Sequence, residues 1–85
     1  MKHTRQVEAH NGSHESLAED LGNIYYDSLA DFLRLLAEKI QKDGQADYNR
    51  GRKKLAQALF SCSETVAEAA QYIDEAWTIC EPYMK

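Results

Sequence analysis

Apolar residues recur at every third or fourth position through the C-terminal half of this chain. The series is Tyr48, Arg52, Leu55, Leu59, Cys62, Val66, Ala69, Ile73, Ala76, Cys80 and Tyr83, in which Arg52 alone is polar. At about 100° per residue, these positions fall in one sector of a helix roughly 140° wide, without a change of phase at Ser61-Cys62-Ser63. The stretch from Ala58 to Gln71 contains no Gly or Pro that would turn the chain. The spacing therefore predicts one long helix with Cys62 inside it.

A local pattern favours a different architecture. Residues 61–64, Ser-Cys-Ser-Glu, fit a capping box, which starts a new helix. Phe60 lies about 150° from the centre of the apolar stripe, where a continuous helix would leave its ring in water. A turn at Ser61-Ser63 would give a monomeric three-helix bundle. This alternative stays open beside a long helical hairpin, which the unbroken phase of the stripe favours.

The N-terminal half predicts a second long helix. Residues 1–12 are polar and without periodicity, which indicates a flexible tail. A helix of some 28 residues is expected to open at Ser13 or Ser16, where a capping box occurs, and to end at Gly44. Asp47 is the expected N-cap of the next helix. The apolar positions of this first helix are Leu17, Leu21, Ile24, Tyr25, Leu29, Phe32, Leu36 and Ile40.

Composition and stripe width together predict the assembly. The 85 residues are 44% hydrophobic and include only four Gly and one Pro, so residues 13–85 are expected to form a single all-α domain. A contact between two helices covers only a narrow seam, and a hairpin with wider stripes is expected to dimerise into a four-helix bundle. The expected oligomer interface consists of Leu59, Val66, Ile73, Trp77, Cys80 and Tyr83.

Charge is unevenly distributed along the chain. The formal net charge is −4, which argues against a generic nucleic-acid binder. Residues 34–54 nevertheless contain seven basic and three acidic residues, whereas the rest contains three basic and eleven acidic residues. A hairpin that turns near Gly44 gathers this positive charge at one end, the predicted basic tip. Its candidate anion-binding residues are Arg50, Arg52, Lys53 and Lys54.

No pattern of catalytic, cofactor-binding or metal-binding residues stands out. His10 and His14 have the spacing of two helical metal ligands, but Asn11-Gly12 between them interrupts a helix. Cys62 and Cys80 would lie about 27 Å apart on one helix, so they are expected to be reduced and buried. We therefore expect no enzyme, no cofactor and no metal.

The pattern indicates a self-associating helical adaptor or regulatory module that binds protein through its helix faces. The alternative function is binding of nucleic acid or another polyanion at the predicted basic tip. The chain shows neither a signal peptide nor an apolar run long enough to span a bilayer, so a cytoplasmic location is expected.

Overall fold

The computed structural model describes residues 3–84 and is all-helical over that range. Three α-helices follow one another: α1 (His14–Gly22), α2 (Tyr26–Asn49) and α3 (Lys53–Cys80). A short 3₁₀ turn, Glu81–Tyr83, follows α3. Helices α2 and α3 pack antiparallel as a hairpin, whereas α1 makes only marginal contact with either.

Helix α3 is continuous, and Cys62 lies inside it. The prediction of one long helix is thus confirmed, and the alternative turn at Ser61-Ser63 is wrong. The carbonyl of Ser61 accepts a hydrogen bond from the Thr65 hydroxyl at 3.0 Å. The hydroxyl of Ser63 caps no helix, because it donates to the Ala37 carbonyl of α2 at 2.8 Å.

The predicted first helix is divided into two. Of the two expected starts, Ser13 and Ser16, Ser13 is the N-cap of α1, and its hydroxyl accepts a hydrogen bond from the Ser16 amide. The helix ends at Gly22, and Tyr25 is extended before α2 begins. Gly and Asn are weak helix formers, so Gly22 and Asn23 permit a break that the apolar spacing alone does not reveal.

The hairpin turns at Gly51, and the predicted stop at Gly44 is wrong. Gly51 has φ +83°, a conformation in which Gly avoids the Cβ penalty. Its amide bonds to the Tyr48 carbonyl and the Arg52 amide bonds to the Asp47 carbonyl, which together form a Schellman motif. Asp47 accordingly lies in the last turn of α2 and is not the N-cap of α3, which is Arg52.

Small residues line the contact between α2 and α3. They recur every seven positions on both helices, and all six are buried: Ala30, Ala37 and Gly44 on α2, and Ala56, Ser63 and Ala70 on α3. We call these six residues the seam. Small side chains let two helices approach closely, so the larger apolar residues flank the seam. No large side chain in residues 3–84 is fully buried.

The seam corrects the predicted orientation of α3. Phe60, expected to be in water, is half-buried beside Gly44, and Cys62, expected to be buried, is exposed. The pattern located the most hydrophobic side of α3, whereas α2 packs against its line of smallest residues. Two helix backbones can approach closely only where the side chains between them are small, and small side chains contribute little to a hydrophobic stripe.

The chain is extended for its length. Its radius of gyration is 15.3 Å, whereas about 12 Å is typical of a compact domain of this size. Its accessible surface is 6856 Å², compared with roughly 5,100 Å² for a compact monomer of this mass. The chain therefore exposes more surface to solvent than a compact domain of the same size does.

Candidate interaction surfaces

The seam divides the hairpin into two faces of different chemistry. A residue just before a seam position lies about 100° to one side of the helix, and a residue just after it lies about 100° to the other. Because α2 and α3 are antiparallel and right-handed, the preceding positions of both helices fall on the same face. They are Leu29, Leu36 and Asp43 on α2 and Leu55, Cys62 and Ala69 on α3. The following positions are Asp31, Glu38 and Gln45 on α2 and Gln57, Glu64 and Gln71 on α3.

The face that carries Leu29, Leu36, Leu55 and Cys62 is mainly hydrophobic, and we call it the apolar face. Leu36 is 38% exposed and Leu55 is 47% exposed, and these values include any shielding by the N-terminal segment that precedes α2. Phe32, on the α2 edge of this face, is 37% exposed. His3 of the N-terminal segment lines a hollow beside Leu55 at the turn end of this face, and these three side chains nevertheless stay more than one-third exposed.

The six residues of the predicted oligomer interface belong to this side of α3 or to its end. Four of them, Leu59, Val66, Ile73 and Cys80, recur at seven-residue spacing between the seam and the exposed edge, and all four are half-buried. Trp77 stacks on Tyr25 across the hairpin, with ring centroids 5.8 Å apart. Tyr83 is 84% exposed in the 3₁₀ turn. Their role in an oligomer stays a prediction.

The opposite, polar face contains the one ion pair that joins α2 to α3 among residues 3–84. The Arg34 guanidinium donates to the Asp74 carboxylate and also lies 3.9 Å from Asp31. The hydrogen bond with Asp74 raises the pKa of Arg34 above its usual value. Partial desolvation of the guanidinium lowers this pKa, but by less than the hydrogen bond raises it. Shallow hollows on this face are lined by Gln41, Gln45, Gln57, Glu64 and Gln71. Water satisfies such a face, so it does not require a partner.

The residues of the predicted basic tip do not all lie together in the structure. The turn at Gly51 leaves Arg34 some 17 residues away, in the salt bridge with Asp74. The candidates Arg50, Arg52, Lys53 and Lys54 do lie together at the turn, and we call these four the turn cluster.

Nearby carboxylates reduce the positive charge at the turn. The Asp47 carboxylate lies 3.1 Å from the Arg52 guanidinium, and the Asp43 carboxylate lies 2.6 Å from the Lys39 ammonium. The Lys53 ammonium lies 5.7 Å from the centroid of the Tyr48 ring. Within residues 3–84, no ion pair involves Arg50, Lys53 or Lys54.

The structure contains one contact between a hydroxyl and an imidazole that the sequence pattern does not indicate. Ser16 Oγ lies 2.8 Å from His10 Nε2, six residues away in the chain. The same hydroxyl donates to the Ser13 carbonyl at 3.3 Å, and Ser13 caps α1. The pair thus belongs to the start of α1. The described part of the chain holds no cluster of three or more His, Cys, Asp or Glu side chains suited to a metal ion.

No helix within residues 3–84 is long and apolar enough to cross a membrane. Comparison with known proteins adds no family or activity. The chain matches no protein-family model, and no curated protein or solved structure is significantly similar to it.

Proposed function

We propose that this protein is a non-enzymatic interaction module, an adaptor or regulatory element, which self-associates through its apolar face into a four-helix bundle. The observation that carries the proposal is the exposure of Leu36 and Leu55 on a face whose hairpin has only small residues in its seam. Burying one large apolar side chain contributes roughly 1.5–3 kcal/mol, so several uncovered side chains favour association.

The area of the apolar face suits this assembly. Helix α2 has 24 residues and is about 36 Å long, and two adjacent helices are about 20 Å wide. The face therefore measures roughly 700 Å², close to the ~800 Å² that each partner contributes to a standard protein interface. Two hairpins packed face to face would bury both apolar faces and leave both polar faces in water.

Further apolar residues at the end of α3 support binding to other proteins. Tyr72 is 70% exposed and Ile79 is 73% exposed, on the edge of α3 next to the apolar face. Together with Tyr83 they extend the hydrophobic surface beyond the middle of the hairpin. An exposed patch of this kind marks interaction sites in many proteins.

Adjacent leucines of α2 provide a matched test of self-association. Leu36 lies on the apolar face, whereas Leu35 lies on the far edge of α2 and is 64% exposed. Leu36→Lys should shift the mass measured by light scattering from a dimer to the 9.7 kDa monomer. Leu35→Lys adds the same charge to the same helix and should leave the dimer intact. A monomeric wild type, or equal effects of the two substitutions, would contradict the proposal.

Polyanion binding by the turn cluster is the second candidate function. It is supported by Arg50, Lys53 and Lys54, which are exposed and without an ion pair in the described part of the chain. Reversing the turn cluster to Glu should abolish retention on heparin at low salt, and wild-type retention should weaken steeply as salt rises. The helix content by circular dichroism should not change, because exposed charges contribute little to stability. Equal elution of wild type and variant would reject this function.

A further inference from the structure

We propose that two copies of this chain pair antiparallel, with the turn end of each hairpin on the open end of the other. This proposal rests on the self-association proposed above and adds to it the orientation of the copies. Apolar burial is non-directional, so the apolar face alone does not choose between an antiparallel and a parallel pair. The distribution of charge along the hairpin does.

The two halves of the hairpin carry opposite net charge. The turn half, residues 38–64, contains six basic residues and four acidic ones, for a net charge of +2. These are Lys39, Lys42, Arg50, Arg52, Lys53 and Lys54, with Glu38, Asp43, Asp47 and Glu64. The open half, residues 26–37 and 65–81, contains Arg34 and six acidic residues, for a net charge of −5. The acidic residues are Asp27, Asp31, Glu68, Asp74, Glu75 and Glu81.

The outer edge of α3, directed away from the seam, shows the same polarity. Lys54, Ser61, Glu68 and Glu75 follow one another there at seven-residue spacing, and all four are exposed. In an antiparallel face-to-face pair, α3 of one copy lies over α3 of the other and runs in the opposite direction. Lys54 and Glu75 each lie about 16 Å from the middle of α3, near residue 65. Lys54 of each copy therefore lies at the same level along the bundle as Glu75 of the other, and the basic end of each outer edge runs beside the acidic end of its mate.

The parallel alternative brings like charges together. It places both turns at one end, and α3 of one copy then lies over α2 of the other. The two turn halves, each with a net charge of +2, would then meet, and so would the two acidic open halves. Juxtaposed like charges disfavour a complex and so select the antiparallel orientation.

A distance between labels on the two copies tests the orientation. Asn49 is exposed at the turn end of α2, so Asn49→Cys in a Cys62→Ala, Cys80→Ala background allows one spin label per full-length chain. Asn49 lies about 17 Å from the middle of the hairpin, and an antiparallel dimer should therefore give a label separation of about 35 Å. A separation below about 20 Å would overturn the antiparallel pair while leaving self-association intact. A monomeric mass of the wild-type chain, measured alongside, would overturn both.

Charge substitutions test the electrostatic choice independently. Lys54→Glu and Glu75→Lys should each weaken the dimer at low salt, because each reduces the opposite net charge of the two halves that face each other. Both differences should shrink in 0.5 M salt, since exposed charges are screened over about a Debye length. The electrostatic choice of the antiparallel orientation is refuted if neither substitution weakens the dimer at low salt.

Discussion

Gly44 lies directly against the ring of Phe60. A Cβ atom at Gly44 would be 2.8 Å from Phe60 Cε1, closer than Cβ atoms approach other side chains, and a tight 3.3 Å from Leu59 Cβ. Gly44 lies inside α2, and Gly is intrinsically unfavourable inside a helix. The closeness of α2 and α3 therefore explains a residue that the local sequence presents as a helix stop.

Gly44→Ala should destabilise the hairpin, although Ala is the better helix former. The intrinsic gain of about 1 kcal/mol is outweighed by overpacking, which typically costs about 1–3 kcal/mol and here means displacing the Phe60 ring or separating the helices. Urea unfolding should show a lower midpoint. Gly22→Ala is the control, because no atom lies within 4 Å of a Cβ there, and its midpoint should match or slightly exceed that of wild type. An increase for Gly44→Ala would contradict the close seam.

Ser63→Val should destabilise the hairpin for a related reason. Ser63 is 7% exposed in the seam, and its hydroxyl donates to the Ala37 carbonyl. Val adds volume between the helices and loses this hydrogen bond, at a combined cost of about 2–4 kcal/mol. Ser61→Val, two residues away on the exposed side of α3, should change the free energy of unfolding by less than about 0.5 kcal/mol. Thermal unfolding that fails to separate the two variants would be evidence against this seam.

Trp77→Ala should weaken the dimer as well as the fold. Trp77 stacks on Tyr25 at the open end of the hairpin, and a large apolar side chain there contributes roughly 1.5–3 kcal/mol. Because folding and association are coupled in such a dimer, melting temperatures of both wild type and variant should rise with protein concentration. A wild-type melting temperature that is independent of concentration would exclude coupled dimerisation.

The Cys62 thiol should report on coverage of the apolar face. It is exposed in the single chain, and it lies near the middle of the proposed interface. In a Cys80→Ala background, its reaction with a thiol reagent should be fast at nanomolar protein and should slow as the dimer forms. A thiol introduced by Ser61→Cys in a chain lacking both natural cysteines lies on the outer edge and should slow much less. Concentration-independent labelling of Cys62 would mean that the apolar face stays open.

The continuity of α3 through Cys62 followed from the sequence alone, although the helix begins at Lys53 and not directly after Asp47. Its apolar series keeps one phase through Ser61-Cys62-Ser63, and a helix with 3.6 residues per turn is the simplest structure that keeps such a phase. Local chemistry also narrowed the start of α1 to Ser13 or Ser16, and in the structure it is Ser13 whose hydroxyl satisfies a free amide of the first turn. Both features depend on residues close together in the chain, and sequence reveals such features well.

Tertiary structure decided which sides of the helices meet and where the chain turns. Hydrophobicity favours burial of Leu55 and Cys62, but antiparallel packing instead buries the line through Ala56 and Ser63, because small side chains let the two backbones approach. At Gly44 the two helices also approach closely, so Gly44 lies within α2, and the chain turns seven residues later, at Gly51. A Gly that ends a helix and a Gly that admits a neighbouring helix look alike in sequence. Their roles differ only through residues such as Phe60, sixteen positions further along the chain.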